Sequence, residues 1–149
     1  MKISIDPGQA CGVCVWVNGR PVEVRTLYAY GATYPKRRRN LCDKFYLYFE
    51  EVESRYNKEI TEFAIEAYQQ GYSKNILQTR KLENLKGYLI RGIERWNRLD
   101  ELPVYEVGKG NAPKSEAAML ARRLHLKGTE HAIDALHIGC LAGWLEEKQ

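Results

Sequence analysis

Ile3-Ser4-Ile5-Asp6-Pro7-Gly8 leads into Cys11-Gly12-Val13-Cys14-Val15-Trp16-Val17-Asn18-Gly19, and Val22, Val24 and Thr26 then alternate with Glu23 and Arg25. Residues 2 to 6 read as a short buried strand, 10 to 17 as a second and 20 to 28 as its return. Asn18-Gly19 is a strong two-residue hairpin signal, because a type I′ turn needs positive φ at both central positions. The alternation in the return strand marks one buried face. The chain therefore opens with three antiparallel strands, and an acid, Asp6, closes the first.

The remainder alternates helix and strand. Residues 29 to 40 read as a loop of Gly, Pro and basic residues, and 41 to 56 as a helix with Phe45, Phe49, Val52 and Tyr56 on one stripe. Residues 60 to 66 form a strand around Phe63-Ala64-Ile65, and Gln69-Gln70-Gly71-Tyr72-Ser73 a loop. A long helix follows over 74 to 98, with Leu82, Leu85, Leu89, Ile93 and Trp96 inward, then a short strand over 103 to 107. Asn111 is a candidate N-cap and Pro113 suits a first turn for a helix that runs to about Leu124. Gly128 breaks it, and Thr129 caps a last helix from Glu130 to about Glu146. The order β-β-β-α-β-α-β-α-α predicts an α/β fold: a mixed five-stranded sheet with an antiparallel three-strand opening, flanked by helices. No repeat or linker divides residues 1 to 149, so one domain is expected.

Hydrophobic residues are 44% and charged residues 28%, an ordinary globular composition. No apolar run approaches a membrane span, and Asp6 comes too early for a secretory signal, so a cytoplasmic protein without membrane contact is expected. Cys11 and Cys14 form a C-x-x-C, which raises zinc or redox chemistry. A second such pair is missing, and Cys14 lies in an apolar strand, so packed reduced thiols are the preferred reading, together with Cys42 and Cys140.

The net charge of +4 is modest, but its distribution is uneven. Lys36-Arg37-Arg38-Arg39 is a compact basic run. Lys74, Arg80, Lys81, Lys86, Arg91, Arg95 and Arg98 form a second group, and Lys109, Lys114, Arg122, Arg123 and Lys127 a third. Acids gather elsewhere, at Glu50, Glu51 and Glu53 and in the tail. Such segregation points to a face for a polyanion, although any single cluster can equally be a solvated helix face.

Three acids end or interrupt apolar segments: Asp6, Glu66 after Phe63-Ala64-Ile65, and Asp134 within Ala132-Ile133-Asp134-Ala135-Leu136. Burying a carboxylate is costly, and three that meet would suit a hard divalent cation. Each has an ordinary alternative when taken alone. Asp6 can be a turn acid, Glu66 a strand-end surface acid and His131 a solvent-facing residue of a first helical turn. Lys114 starts a helix, where a cation opposes the dipole, and faces either a phosphate or solvent. His137 is read as a supporting or surface residue, and His125 and Glu130 as surface residues.

Ile3-Ser4-Ile5-Asp6-Pro7-Gly8, Ile65-Glu66, Gly108-x-Gly110-x-x-x-Lys114 and His131-Ala132-Ile133-Asp134-Ala135-Leu136 together resemble the RuvC-type Holliday junction resolvases of the RNase H-like superfamily. The resemblance covers nearly the whole chain. It implies a single RNase H-like nuclease domain with Asp6, Glu66, His131 and Asp134 as catalytic metal ligands. His131 stands where many members carry aspartate. That makes the site less acidic and favours Mn²⁺ beside Mg²⁺, since imidazole suits softer metals. The family's aromatic wedge corresponds to Tyr68 or Tyr72.

The resemblance implies a crossover junction endodeoxyribonuclease that hydrolyses phosphodiesters with two divalent ions. Its partners would be a four-way DNA junction and a second copy of the chain, since symmetric paired nicks need two sites. The helix at 74 to 98 is the candidate homodimer interface. DNA contacts are expected from Lys114, Lys109, Arg37, Arg38, Arg39, Tyr68, Tyr72, Lys74 and Arg80, with Tyr28, Tyr30 and Tyr34 able to stack on bases or to pack their loop. His131 can ligate metal or protonate the leaving 3′-oxygen. The alternatives are a broader nuclease for flaps, branched DNA or RNA–DNA hybrids, and a junction-binding module without catalysis.

Overall fold

The computed structural model of the chain describes residues 1–67, 76–96, 102–108 and 112–146. Five strands, β1 (Lys2–Asp6), β2 (Ala10–Val17), β3 (Arg20–Tyr28), β4 (Glu62–Glu66) and β5 (Val104–Val107), form one sheet in the order β3-β2-β1-β4-β5. The first three pair antiparallel, and β4 and β5 continue parallel to β1. The helices are α1 (Tyr34–Tyr56), α2 (Ile76–Trp96), α3 (Ser115–Arg123) and α4 (Glu130–Leu141). Among the described residues, no helix is long and apolar enough to cross a membrane.

The hairpin forms where Asn18-Gly19 predicts it, with φ of 50° and 71°. One irregularity was not legible: the β2–β3 register shifts between Val15, opposite Glu23, and Trp16, opposite Pro21. Val22 is the extra residue. Proline has no N–H for a ladder, so it is tolerated on an edge strand beside a bulge.

Alternation along the strands divides the interior into two cores. Ile3, Ile5, Cys11, Val13, Val15, Phe63 and Ile65 point to one face, where α1 brings Leu41, Phe45, Phe49 and Val52 and α2 brings Leu85, Leu89 and Ile93. Trp96 closes this core edge-on to Phe49 and Phe63, with ring centroids 5.2 and 6.2 Å away. Cys14, Trp16 and Ala64 point to the other face, covered by Ala117, Leu120 and Ala121 of α3 and Ala132, Ala135, Leu136 and Ile138 of α4. Cys11 and Cys14 thus lie on opposite faces, as an odd spacing on a strand requires, and they do not form a shared zinc or redox pair. Burial pushes both thiols far above the ordinary range.

Three helix boundaries differ from the sequence expectation. α3 starts at Ser115 with Lys114 at its cap position, so Pro113 precedes the first turn. α1 starts at Tyr34 rather than near Leu41, so Lys36-Arg37-Arg38-Arg39 is helical and not a loop. Thr33 caps it by accepting from the Lys36 N–H at 3.4 Å. Pro35 sits in the first turn, where its missing N–H has no intrahelical partner to lose. α4 ends at Leu141 rather than Glu146, because Gly143 takes a φ of 76°. The N–H of Gly143 reaches Cys140 O at 3.0 Å and that of Trp144 reaches Gly139 O at 3.1 Å, the bond pair of a Schellman cap. The chain then folds back, and Trp144 packs edge-on against Trp16 at 6.1 Å.

Candidate active site

The site begins with the pleat of β1. Ile3 and Ile5 point to the α1/α2 core, so Ser4 and Asp6 point to α4. The same alternation on β4 turns Ala64 and Glu66 to α4. Because Ile5 pairs with Ile65, Asp6 and Glu66 stand at the carboxyl ends of adjacent parallel strands on one face. Asp6 is buried, with 7% of its surface exposed.

Three features seat α4 directly on this part of the sheet. Gly12 pairs with Asp6 across β1 and β2, and a Cβ there would lie 1.7 Å from the carbonyl oxygen of His131. Only glycine lets the first turn of α4 come so close. Second, the hydroxyl of Ser4 donates to Ala135 O at 2.6 Å and accepts from Trp16 Nε1 at 2.8 Å, so one buried side chain ties β1 to β2 and to α4. Third, Thr129 caps α4 by accepting from the Ala132 N–H at 3.4 Å and also hydrogen-bonds Thr26 of β3. Thr129 caps the helix as its sequence position predicts, whereas neither Gly12 nor Ser4 was singled out as a positioning residue from sequence. A polar Ser4 between two buried isoleucines, at the period of Asp6, was the available signal.

This seating brings His131 Nδ1 to 3.4 Å from Asp6 Oδ2. Asp134 lies three residues on, on the same helix face. Asp6, His131 and Asp134 each present one potential ligand atom, and these atoms all lie within 4.8 Å of one another. Among the described residues, this is the one group of three or more acid, histidine or cysteine side chains close enough to hold a metal ion. The carboxylate of Glu66 is not in that group, although its strand position is adjacent. Two carboxylates and an imidazole form a mixed oxygen and nitrogen donor set that fits Mn²⁺ or Mg²⁺.

Lys114, at the cap position of α3, enters the site. Its Nζ lies 2.8 Å from Asp134 Oδ1 and 3.2 Å from Glu130 Oε1. Burial opposes its charge, but hydrogen bonds and attraction from Asp134 and Glu130 outweigh that and raise its pKa above the ordinary lysine range. It is therefore neither a freely solvated lysine nor one directed only at a substrate. The expected cap residue Asn111 lies outside the described residues, and α3 has no side-chain cap bond. His137, which the sequence left as supporting or surface, is buried at 4% exposure.

The basic run lies at the same edge. The N–H of Ala29 donates to Gln9 O at 2.8 Å, which joins the end of β3 to the loop after Asp6, and α1 starts just beyond. The arginines have unequal tasks. Arg38 lies over Tyr34 at 5.2 Å and Tyr88 at 5.0 Å and bonds Asn84, so it joins α1 to α2. Arg37 donates to Gly31 O at 3.2 Å, and Lys36 and Arg39 are exposed. Tyr68, Tyr72, Lys74 and Lys109 lie outside the described residues, as does the side chain of Arg80.

No protein-family model and no curated protein matches this sequence. Solved structures do. Thermus thermophilus RuvC in complex with a Holliday junction substrate aligns with a TM-score of 0.64 at 20% identity, over 96% of this chain and 92% of that one. Another structure of Thermus thermophilus RuvC gives 0.57 at 24% identity, over 96% and 93%. The yeast mitochondrial Holliday junction resolvase Ydc2 gives 0.51 at 8% identity, over 96% and 77%. The chain has the RuvC-type resolvase fold; the mixed five-stranded sheet is the one that the order of elements predicts, and the RNase H-like architecture is the one that the resemblance implies.

Proposed function

We propose that this chain is a metal-dependent endonuclease that resolves four-way DNA junctions, acting as a homodimer that makes paired symmetric nicks. The observation that carries this reading is the cluster of Asp6, His131 and Asp134 within 4.8 Å. It stands at the carboxyl edge of a sheet whose fold is shared with a resolvase solved on its junction substrate. In this reading residues 1 to 149 form one nuclease domain.

Asp6, Asp134 and His131 Nδ1 are the assigned ligands, and Glu66 joins them from the neighbouring strand end. Divalent ions held there would supply charge neutralisation at the scissile phosphate and a hydroxide nucleophile. The protein's own work is to hold the donors before substrate arrives. Gly12 sets the depth of α4, Ser4 fixes its position along β1, and Lys114 holds Asp134. Lys36, Arg37 and Arg39 at the start of α1 oppose the helix dipole, a placement that becomes favourable when a phosphate lies beside them. Lys109, Lys74, Arg80, Tyr68 and Tyr72 are assigned to DNA on sequence position alone. The exposed side of α2 is the proposed contact between the two copies.

The test is cleavage of a mobile four-way junction, a flap and an RNA–DNA hybrid in Mg²⁺ and in Mn²⁺. The junction is expected to be cut fastest, with two symmetric nicks, and Asp6→Asn should abolish nicking while junction binding is kept or strengthened. Faster cutting of the flap or hybrid would replace the resolvase assignment with a broader nuclease. Undiminished cutting by the Asp6→Asn protein would overturn the site.

A further inference from the structure

The geometry points to Tyr30 as a stacking platform for an unpaired nucleobase at the rim of the site. The inference rests on the nucleic-acid reading above and adds a base-contacting residue to it. Tyr30 leaves the sheet one residue after Ala29, whose N–H is bound to the loop that follows Asp6. Its side chain is 66% exposed, among the largest values for any apolar or aromatic residue in the described structure. A tyrosine serving the core would be covered, as Tyr48 is at 2%.

The ring is nevertheless held in place. The N–H of Tyr30 donates to Asn40 Oδ1 at 2.9 Å, which fixes the backbone to α1. Lys44 Nζ sits 4.1 Å from the ring centroid and also bonds the carbonyl of Tyr28, so the ammonium is anchored over the ring. Arg37 bonds the next carbonyl, that of Gly31. A flat aromatic surface, fixed from below by a cation and projecting into solvent, is the part that single-stranded nucleic-acid sites use to stack bases.

The charge around it selects the occupant. No acid occurs between Glu23 and Asp43, whereas Arg25 and Lys36 to Arg39 do, and Lys36 and Arg39 are exposed. An aromatic protein segment would not need that surplus of cations, but a base carried on a phosphate backbone does. Tyr34 is a poorer platform, because it is half-buried and its ring is taken into the α1–α2 contact through Arg38, which also lies over Tyr88.

The experiment titrates the full chain carrying Asp6→Asn with a short single-stranded DNA containing 2-aminopurine, and with a four-way junction and a linear duplex. Tyr30→Leu should weaken single-strand binding roughly tenfold and remove the quenching of 2-aminopurine. Tyr30→Phe should stay within about twofold, since the ring and not the hydroxyl does the stacking. Unchanged thermal transitions would show that both surface variants fold. The platform is overturned if Tyr30→Leu binds the single strand as tightly as its parent. It is also overturned if the parent does not bind the single strand, or if Tyr30→Phe loses as much as Tyr30→Leu. Preference for the junction over linear duplex is a separate readout. Its loss, with Tyr30-dependent single-strand binding intact, would remove the resolvase reading and leave the platform in place.

Discussion

Asp134 sits in a helix whose other central residues are apolar, and its carboxylate is held by Lys114 at 2.8 Å. A metal ion bound by Asp134 would share that carboxylate with the lysine ammonium and meet its like charge. Lys114→Met should lower the cleavage rate by about 10- to 100-fold, the usual effect of losing a partner that orients a ligating carboxylate. It should also lower the Mg²⁺ concentration needed for half-maximal rate, because a like charge has gone. Rate measurements across a Mg²⁺ series check both, and an unchanged rate with an unchanged metal requirement would deny Lys114 any part in the site. At this scale the sequence was informative about identity and silent about reach. Asp6 and Asp134 were legible as acids that end or interrupt apolar segments, whereas His131 entered only through the family resemblance, since taken alone it reads as a solvent-facing residue. Glu66 was legible as a strand-end acid, but where its longer side chain directs the carboxylate is decided by neighbours that no local pattern records. Likewise Lys114 was legible as a misplaced cation, and Glu130 is the surface residue its position predicts, but their pairing was not legible.

The seating of α4 on the sheet turns separate side chains into a cluster. With Ala in place of Gly12, a methyl would lie 1.7 Å from the His131 carbonyl oxygen, so the helix start must move. Gly12→Ala should destabilise the fold by about 3 kcal/mol, the upper part of the range for overpacking, and should abolish cleavage even where the protein still folds. Urea unfolding and the nicking assay check the two parts. On the other face, Glu23 of β3 holds α1 by accepting from Tyr48, Arg55 and Tyr56. Burial raises the Glu23 pKa, but these donors outweigh it and bring it below the ordinary glutamate value of 4.5. A lowered carboxylate pKa gives stability that is present above 4.5 and is lost as pH falls through the folded value. Glu23→Gln should therefore cost about 1.5 kcal/mol at neutral pH, the lower end for bonds to a charged group, and the deficit should shrink below the ordinary carboxylate range. Unfolding curves across that range check the sign, and a deficit independent of pH would contradict it. Elements were legible where local chemistry is decisive, as at Asn18-Gly19 and Thr129. They were misread where it is double-edged. Pro35 followed by four cations reads as a loop, yet proline is at home in a first turn, and the packing of Arg38 between Tyr34 and Tyr88 supports the early start.

Across the whole molecule, the three-strand opening and the two parallel additions place the ends of β1, β4 and β5 and the starts of α1, α3 and α4 at one edge. That topology followed from the order of elements, because short connections leave few ways to arrange them. Helices flanking the sheet were expected from the same order, whereas the close backbone approach of α4 was not readable, since it depends on contacts between residues more than a hundred positions apart. Cations at the start of α1 and at Lys114 share this edge, so junction affinity should fall on the order of 10³-fold between about 50 and about 200 mM salt, as phosphate contacts release counterions. A flat salt response of the Asp6→Asn protein would show that this edge is not the DNA face. In the proposed function Asp6, His131 and Asp134, with Glu66 beside them, hold divalent ions. Anomalous diffraction from crystals soaked in Mn²⁺ measures this directly. A peak bound by Asp6 and Asp134 is the expected result. Crystals that take up Mn²⁺ elsewhere, with these two carboxylates still engaged only by protein groups, would contradict it.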